Sequence, residues 1–158
     1  MRELSVVEVR VSGSEMPPVV VLREQDGGRL LPIWMSAQGA AAIVSATEDP
    51  DPSRPGLHDL VNDLIASLGA SVTEVRIVAY DEGQFYAELL VGESALAARP
   101  SDAIALAMRM GCPIRCSEDV LDVAGVQDLP EVAEAEPGAQ DEVEKFREFL
   151  DSVNPDDF

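Results

Sequence analysis

Ala98-Arg99-Pro100-Ser101-Asp102-Ala103-Ile104-Ala105-Leu106-Ala107-Met108-Arg109 reads as the end of a strand, a tight turn on an arginine, and a helix that opens on an acid. Proline presets φ for a first helical turn and loses nothing there by lacking its N–H, so Pro100 marks the helix start. Ser101 and Asp102 suit the unpaired donors and positive dipole of that end. Ala103 to Met108 is apolar without a break, which predicts a helix buried on nearly all sides, with alanines small enough to admit a second backbone. Arg99 and Asp102 at its mouth are costly to bury unless paired. A structural ion pair and a functional site are both open readings.

Outward from this stretch the chain alternates strands and helices. Leu4–Val11, Val19–Arg23 and Arg29–Trp34 read as strands, the last two joined by the turn Gln25-Asp26-Gly27-Gly28. Ser36 is the expected N-cap of an alanine-rich helix over residues 37–47. Three prolines make residues 48–56 a loop. Leu57, Leu60, Val61, Leu64, Ile65 and Leu68 then fall on one face of a helix that Gly69 stops. Val72–Tyr80 and Gln84–Val91 form a hairpin, and a short strand Ala95–Ala98 leads into the opening stretch. Pro113–Cys116 is a further short strand, and Ser117 caps a short helix to about Ala124. The expected fold class is α+β, a twisted, mixed and largely antiparallel sheet with flanking helices. Leu31–Ser36 and Leu96–Ser101 each lead from a strand through a serine into an alanine helix, which raises an internal duplication of a strand–Ser–helix unit as an expectation.

Residues 1–125 form the expected domain, 126–140 an acidic linker, and 141–158 an amphipathic helix and tail, with Val143, Phe146, Phe149, Leu150 and Val153 on one stripe. That stripe and the alanine-rich helices offer more apolar surface than one small domain hides, so a homo-oligomer, most simply a dimer, is expected.

The net charge is −19, and residues 117–158 supply −12 of it with 14 acids against two bases. This excludes a general nucleic-acid-coating surface and an anionic-membrane surface. Only 4% of residues are aromatic, so the core must be aliphatic. Cys112 and Cys116 are too far apart in an extended segment for a disulfide, and one histidine in the whole chain argues against a closed zinc site. Both cysteines read as buried thiols in a reducing compartment. Glu3 and Glu8 interrupt any leader-like apolar run and no stretch spans a bilayer, so a cytoplasmic location is expected.

The helix from Leu57 carries His58, Asp59, Asn62 and Asp63 on its polar face. Asp59 and Asp63, at i and i+4, are spaced to share a divalent metal, Mg²⁺ or Mn²⁺. Histidine is the natural general acid or base near neutral pH, which singles out His58. Arg54 and Arg99 each precede a proline that opens a helix, a place where a guanidinium can hold a phosphate. The plain alternatives are that these acids favour a helix dipole, that the polar residues face water, and that Arg99 pairs with Asp102. Trp34, at a strand end, reads as core rather than as a platform for a base.

Four segments, Leu31-Pro32-Ile33-Trp34, Arg54-Pro55 with His58-Asp59-Leu60, Phe85-Tyr86-Ala87, and Ala98 to Arg109, resemble the bifunctional nuclease domain family of bacteria and plant chloroplasts in order and spacing. The ending 142–158 resembles its actinobacterial branch. The resemblance implies a compact α+β domain that forms homo-oligomers and hydrolyses DNA and RNA. The resemblance strengthens His58 and Asp59, whose dipeptide matches the family's. The residue reading adds Asp102 as a third catalytic residue, Arg54 and Arg99 as substrate ligands, and Asp59 and Asp63 at any metal. One departure stands out. Where the family shows a glycine and, three residues on, a glutamate, this chain has Ser36 and Gly39. The function expected is a low-specificity, divalent-metal-dependent nuclease of DNA and RNA that prefers short or single-stranded substrates. The alternatives are a non-enzymatic oligomeric binding or regulatory protein of the same fold, and a small-molecule phosphoester hydrolase.

Overall fold

A computed structural model describes residues 1–11 and 16–127. The acidic stretch from residue 128 and the amphipathic helix expected at 141–153 lie outside the described residues. Seven strands form one curled mixed sheet: β1 (Arg2–Arg10), β2 (Val19–Glu24), β3 (Leu30–Trp34), β4 (Val72–Asp81), β5 (Gln84–Val91), β6 (Ser94–Ala98) and β7 (Ile114–Cys116). Four helices accompany it: α1 (Ala37–Ser45), α2 (Leu57–Ser67), α3 (Pro100–Met110) and α4 (Glu118–Ala124). The α+β reading and the order of elements hold.

The strand order is β3-β2-β1-β7-β4-β5-β6. Each half is therefore a three-stranded antiparallel meander, and each meander runs on into a helix, α1 or α3. The three-residue β7 joins the halves, antiparallel to β1 and parallel to β4. The two serines that looked equivalent differ in position. Ser36 caps α1 from outside it, whereas Arg99 is the N-cap of α3, Pro100 begins the helix and Ser101 follows inside it. Pro32 sits in the edge strand β3, where a missing ladder donor is tolerated. Val126 exchanges two backbone hydrogen bonds of 2.8 Å with Leu30, so the fold holds the chain one residue past the expected boundary at 125.

The core is aliphatic, as the composition required. Val20, Leu22, Leu31, Ile33, Ile43, Val75, Ile77 and Ile104 are 2% exposed or less, and no aromatic residue joins the buried set among the described residues. α3 is buried nearly all round, with Ala103 to Ala107 at most 5% exposed. It packs between α1 and α2 and against β4 and β5. Cys116 is fully buried and desolvation pushes its thiol up to about 12, while Cys112 is only half-buried; both are free.

Gly39 shows why α3 needs small neighbours. A Cβ on Gly39 would lie 2.7 Å from Ser101 Cβ and 2.9 Å from its Oγ. A glutamate side chain at this position cannot fit while α1 and α3 are this close. Gly39→Ala gains helix propensity of about 1 kcal/mol but overpacks a tight contact at a cost of about 1–3 kcal/mol. Net destabilisation is expected in urea melts, and Ser101→Gly in the same chain should recover part of it.

A buried carboxylate anchors the other end of the sheet. Glu24 is 2% exposed and receives Arg29 Nε at 2.8 Å, while the same guanidinium reaches Glu118 at 3.1 Å and Asp122 at 2.8 Å on α4. Arg29's hydrogen bond holds the Glu24 carboxyl below the usual glutamate value, against the upward push of burial. A depressed acid stabilises the fold in full above its unfolded value, near 4.3, and loses that contribution as pH falls through its lower folded value. Stability of the wild type should therefore drop below about pH 4.5, and Glu24→Gln should flatten that drop while lowering the plateau above it. Denaturant midpoints measured from pH 3 to 7 check this.

Candidate functional site

α2 is rotated away from the orientation its amphipathic pattern predicts. Leu57, Leu60, Leu64 and Leu68 are 70%, 54%, 56% and 76% exposed, whereas the Asp59 side chain is only 14% exposed and that of His58 20%. Only Val61 and Ile65 of its apolar residues pack on the core. Two polar contacts with α3 turn the nominally wet face inward.

The deeper contact is Asp59 with Arg109. Asp59 Oδ1 lies 2.8 Å from Arg109 Nε, and its Oδ2 accepts the Gly56 N–H at 3.1 Å, which closes the first turn of α2. Arg109 also donates to the carbonyls of Ser45, at 2.7 Å, and Glu48 at the end of α1. Its side chain is 10% exposed, so one guanidinium fastens three helices. The sequence reading missed this role. The signal was available, because a cation in the last turn of an apolar buried helix must find acceptors on its neighbours.

The second contact joins three of the six candidates. His58 Nε2 stands 3.3 Å from Asp102 Oδ1, and Arg99 Nε donates to Asp102 Oδ2 at 2.7 Å. His58 comes from the first turn of α2, Asp102 from the first turn of α3, and Arg99 from the cap of α3. Exposure rises along the chain, from 20% at His58 through 31% at Asp102 to 69% at Arg99. Burial pushes the Asp102 carboxyl up, but the Arg99 guanidinium and then the His58 ring outweigh it, leaving the carboxyl below the usual aspartate range. An ionised Asp102 can only accept, so this contact suits the ring tautomer that carries its proton on Nε2 and leaves Nδ1 as an acceptor.

The remaining candidates lie apart. Asp63 is exposed on α2, and Arg54 is exposed in the loop before it. The Asp59 carboxylate is already taken by Arg109 and the Gly56 N–H, so Asp59 with Asp63 does not fit a divalent metal. No group of three His, Cys, Asp or Glu suited to a metal ion occurs among the described residues.

Arg99 also borders an open cleft of about 320 Å³ between the end of β3, the β4–β5 turn and the start of α3. Its lining includes Trp34, Ser36, Gln84 and Phe85. Trp34 is 50% exposed, which overturns its assignment to the core. β3 is an edge strand, and Trp34, its last residue, lies where the sheet no longer covers it.

The bifunctional nuclease domain matches residues 20–128, a span that takes in Trp34, the start of α2 and the start of α3. The chain belongs to the bifunctional nuclease domain family. It is 49% identical to an uncharacterized protein of Mycobacterium tuberculosis, over 100% of this chain and 98% of that one. It is 28% identical to Bifunctional nuclease 1 of Arabidopsis thaliana and 30% identical to Bifunctional nuclease 2 of Oryza sativa. Those two similarities cover 74% and 71% of this chain but only 40% and 37% of the plant proteins. Among the described residues no helix is long and apolar enough to cross a membrane.

Proposed function

We propose that this bifunctional nuclease domain hydrolyses phosphodiester bonds of nucleic acid through His58, Asp102 and Arg99. The observation that carries the reading is the unbroken hydrogen-bonded chain His58–Asp102–Arg99, which couples a proton acceptor to a cation at an open cleft. Arg99 uses Nε on Asp102, which leaves the outer edge of its guanidinium for phosphate oxygens. Asp102 fixes the ring of His58 and balances the imidazolium that forms. His58 Nδ1 takes a proton from the attacking water as the new P–O bond forms. The imidazolium returns that proton to the leaving oxygen as the old P–O bond breaks.

The test is cleavage of short single-stranded and duplex DNA and RNA by purified full-length protein, in Mg²⁺, in Mn²⁺ and in EDTA. Turnover should fall steeply with salt and favour single strands, because a chain of net charge −19 admits a polyanion only locally. A requirement for Mg²⁺ or Mn²⁺ would show that the His58–Asp102–Arg99 chain does not act alone. No cleavage under any of these conditions would sink the hydrolase reading.

The exposed stripe Leu57–Leu60–Leu64–Leu68 favours a second reading, an oligomeric binding protein of the same fold. Such a row of leucines needs a cover. We expect wild-type protein to run in light scattering as a multiple of 16.9 kDa. Leu60→Glu with Leu64→Glu should give the single-chain mass, and a wild-type monomer at micromolar concentration would refute the homo-oligomer.

A further inference from the structure

We propose that the cleft beside Arg99 is a subsite for one unpaired nucleotide, with its base stacked on Trp34 and its phosphate on Arg99. The inference rests on the hydrolase reading and names the form of nucleic acid that the site accepts.

Three observations lead to it. Trp34 is half exposed although the chain can spare few aromatics, and its indole borders a concave space rather than a flat surface. A solvent-facing aromatic at a cleft is costly to leave uncovered, and base faces are the flat, sequence-tolerant partners such rings take in single-strand binding. Second, Arg99 stands in the same cleft at the mouth of α3, where the helix dipole and the guanidinium act together on an anion. Third, the cleft of about 320 Å³ falls at the small end of the roughly 300–1,000 Å³ typical of ligand pockets. It has room for one nucleotide and none for a duplex.

The surroundings add selectivity. Gln84, exposed on the β4–β5 turn, brings an amide that can both donate to and accept from a base edge. Asp81 and Glu82 on the same turn repel a phosphate backbone running that way. A duplex would have to bring two backbones past these acids. An unpaired base can enter with its phosphate turned toward Arg99.

Trp34 is the only tryptophan in the chain, so its fluorescence reports this cleft alone. Full-length protein is titrated with a 5′-phosphorylated thymidine dinucleotide, with an abasic analogue of equal charge, and with inorganic phosphate. Quenching that saturates with the dinucleotide, and not with the abasic analogue or phosphate, is the expected result. In cleavage assays Trp34→Ala should raise KM for single strands roughly 5- to 150-fold with little change in kcat, the loss of one base–aromatic stack. Trp34→Phe should stay near wild type, which separates loss of stacking from loss of folding.

Equal quenching by the abasic analogue, or none by the dinucleotide, overturns the subsite. Cleavage without quenching removes the subsite and leaves the hydrolase reading standing. Quenching without cleavage does the reverse.

Discussion

His58→Ala should lower phosphodiester turnover by roughly 10²–10⁴-fold, the usual scale for removing one general acid or base. Its side chain is partly exposed and contacts Asp102 at the rim of α2, so thermal stability should change little. Asp102→Asn should cost a comparable factor by a different route. The amide keeps the shape but removes the charge that holds the His58 proton on Nε2 and pairs with Arg99. Its effect on stability should stay within about 1 kcal/mol, because Arg99, its nearer partner, is largely exposed and that pair is screened by water. Because the folded carboxyl lies below the usual aspartate range, Asp102 is already charged at pH 5, and its titration should not shape the rate profile above that. Rates from pH 5 to 9 for wild type and Asp102→Asn check this. Cleavage that survives His58→Ala would place the chemistry elsewhere.

Arg109→Met should be the most destabilising single change in the domain. It strands the buried Asp59 carboxylate and frees two carbonyls at the end of α1. Breaking one partner out of a buried pair typically costs about 3–5 kcal/mol. At about 2–4 °C per kcal/mol for a chain of this length, the melting temperature should fall by roughly 6–20 °C. Arg109→Lys should not rescue it, because one ammonium cannot reach Asp59, Ser45 and Glu48 in the fork geometry of a guanidinium. Asp59→Leu combined with Arg109→Met should recover part of the loss, since the uncompensated charge is then gone. Asp59 and His58 are neighbours in sequence, yet stability should follow the first and turnover the second. Equal melting temperatures for wild type and Arg109→Met would show that the three-helix junction is held by packing alone.

Local signals made most of the fold legible. Pro100 does begin its helix, and Gly28, Gly69 and Gly111 adopt the positive φ that ends their elements. Val72–Tyr80 does form a strand, although a register shift after Val72 buries Glu74 and Val75 side by side, and the apolar run of α3 translates directly into a buried helix. What escaped depends on partners distant in sequence. The leucine pattern of α2 shows which face is apolar, but not that Arg109 and Asp102 on α3 draw the edge bearing His58 and Asp59 inward and leave the leucines outside. Trp34 at a strand end looks like core until the sheet order puts β3 at an edge. Gly39 reads as a lost carboxylate, and only the approach of Ser101 shows it to be a packing requirement. Of the candidate site, the His58-Asp59 dipeptide pointed to the turn of α2 that meets α3. Sequence could not assign the two side chains to separate partners, because that depends on which turn of α3 each one meets.

The strand β7 sets the order in which the molecule can be completed. The first meander is fully translated at Trp34, yet the free side of β1 receives its partner only when Ile114–Cys116 has been made. At about 5–20 residues per second of synthesis, β1 waits on the order of 4–16 s as an open edge. Arg2, Glu3, Glu8 and Arg10 lie along it, and charges at these points deter a neighbouring nascent chain from adding a strand there. Three residues near the end of the domain thus act as a late clasp, and the charge pattern of the first strand protects the unfinished product until the clasp closes.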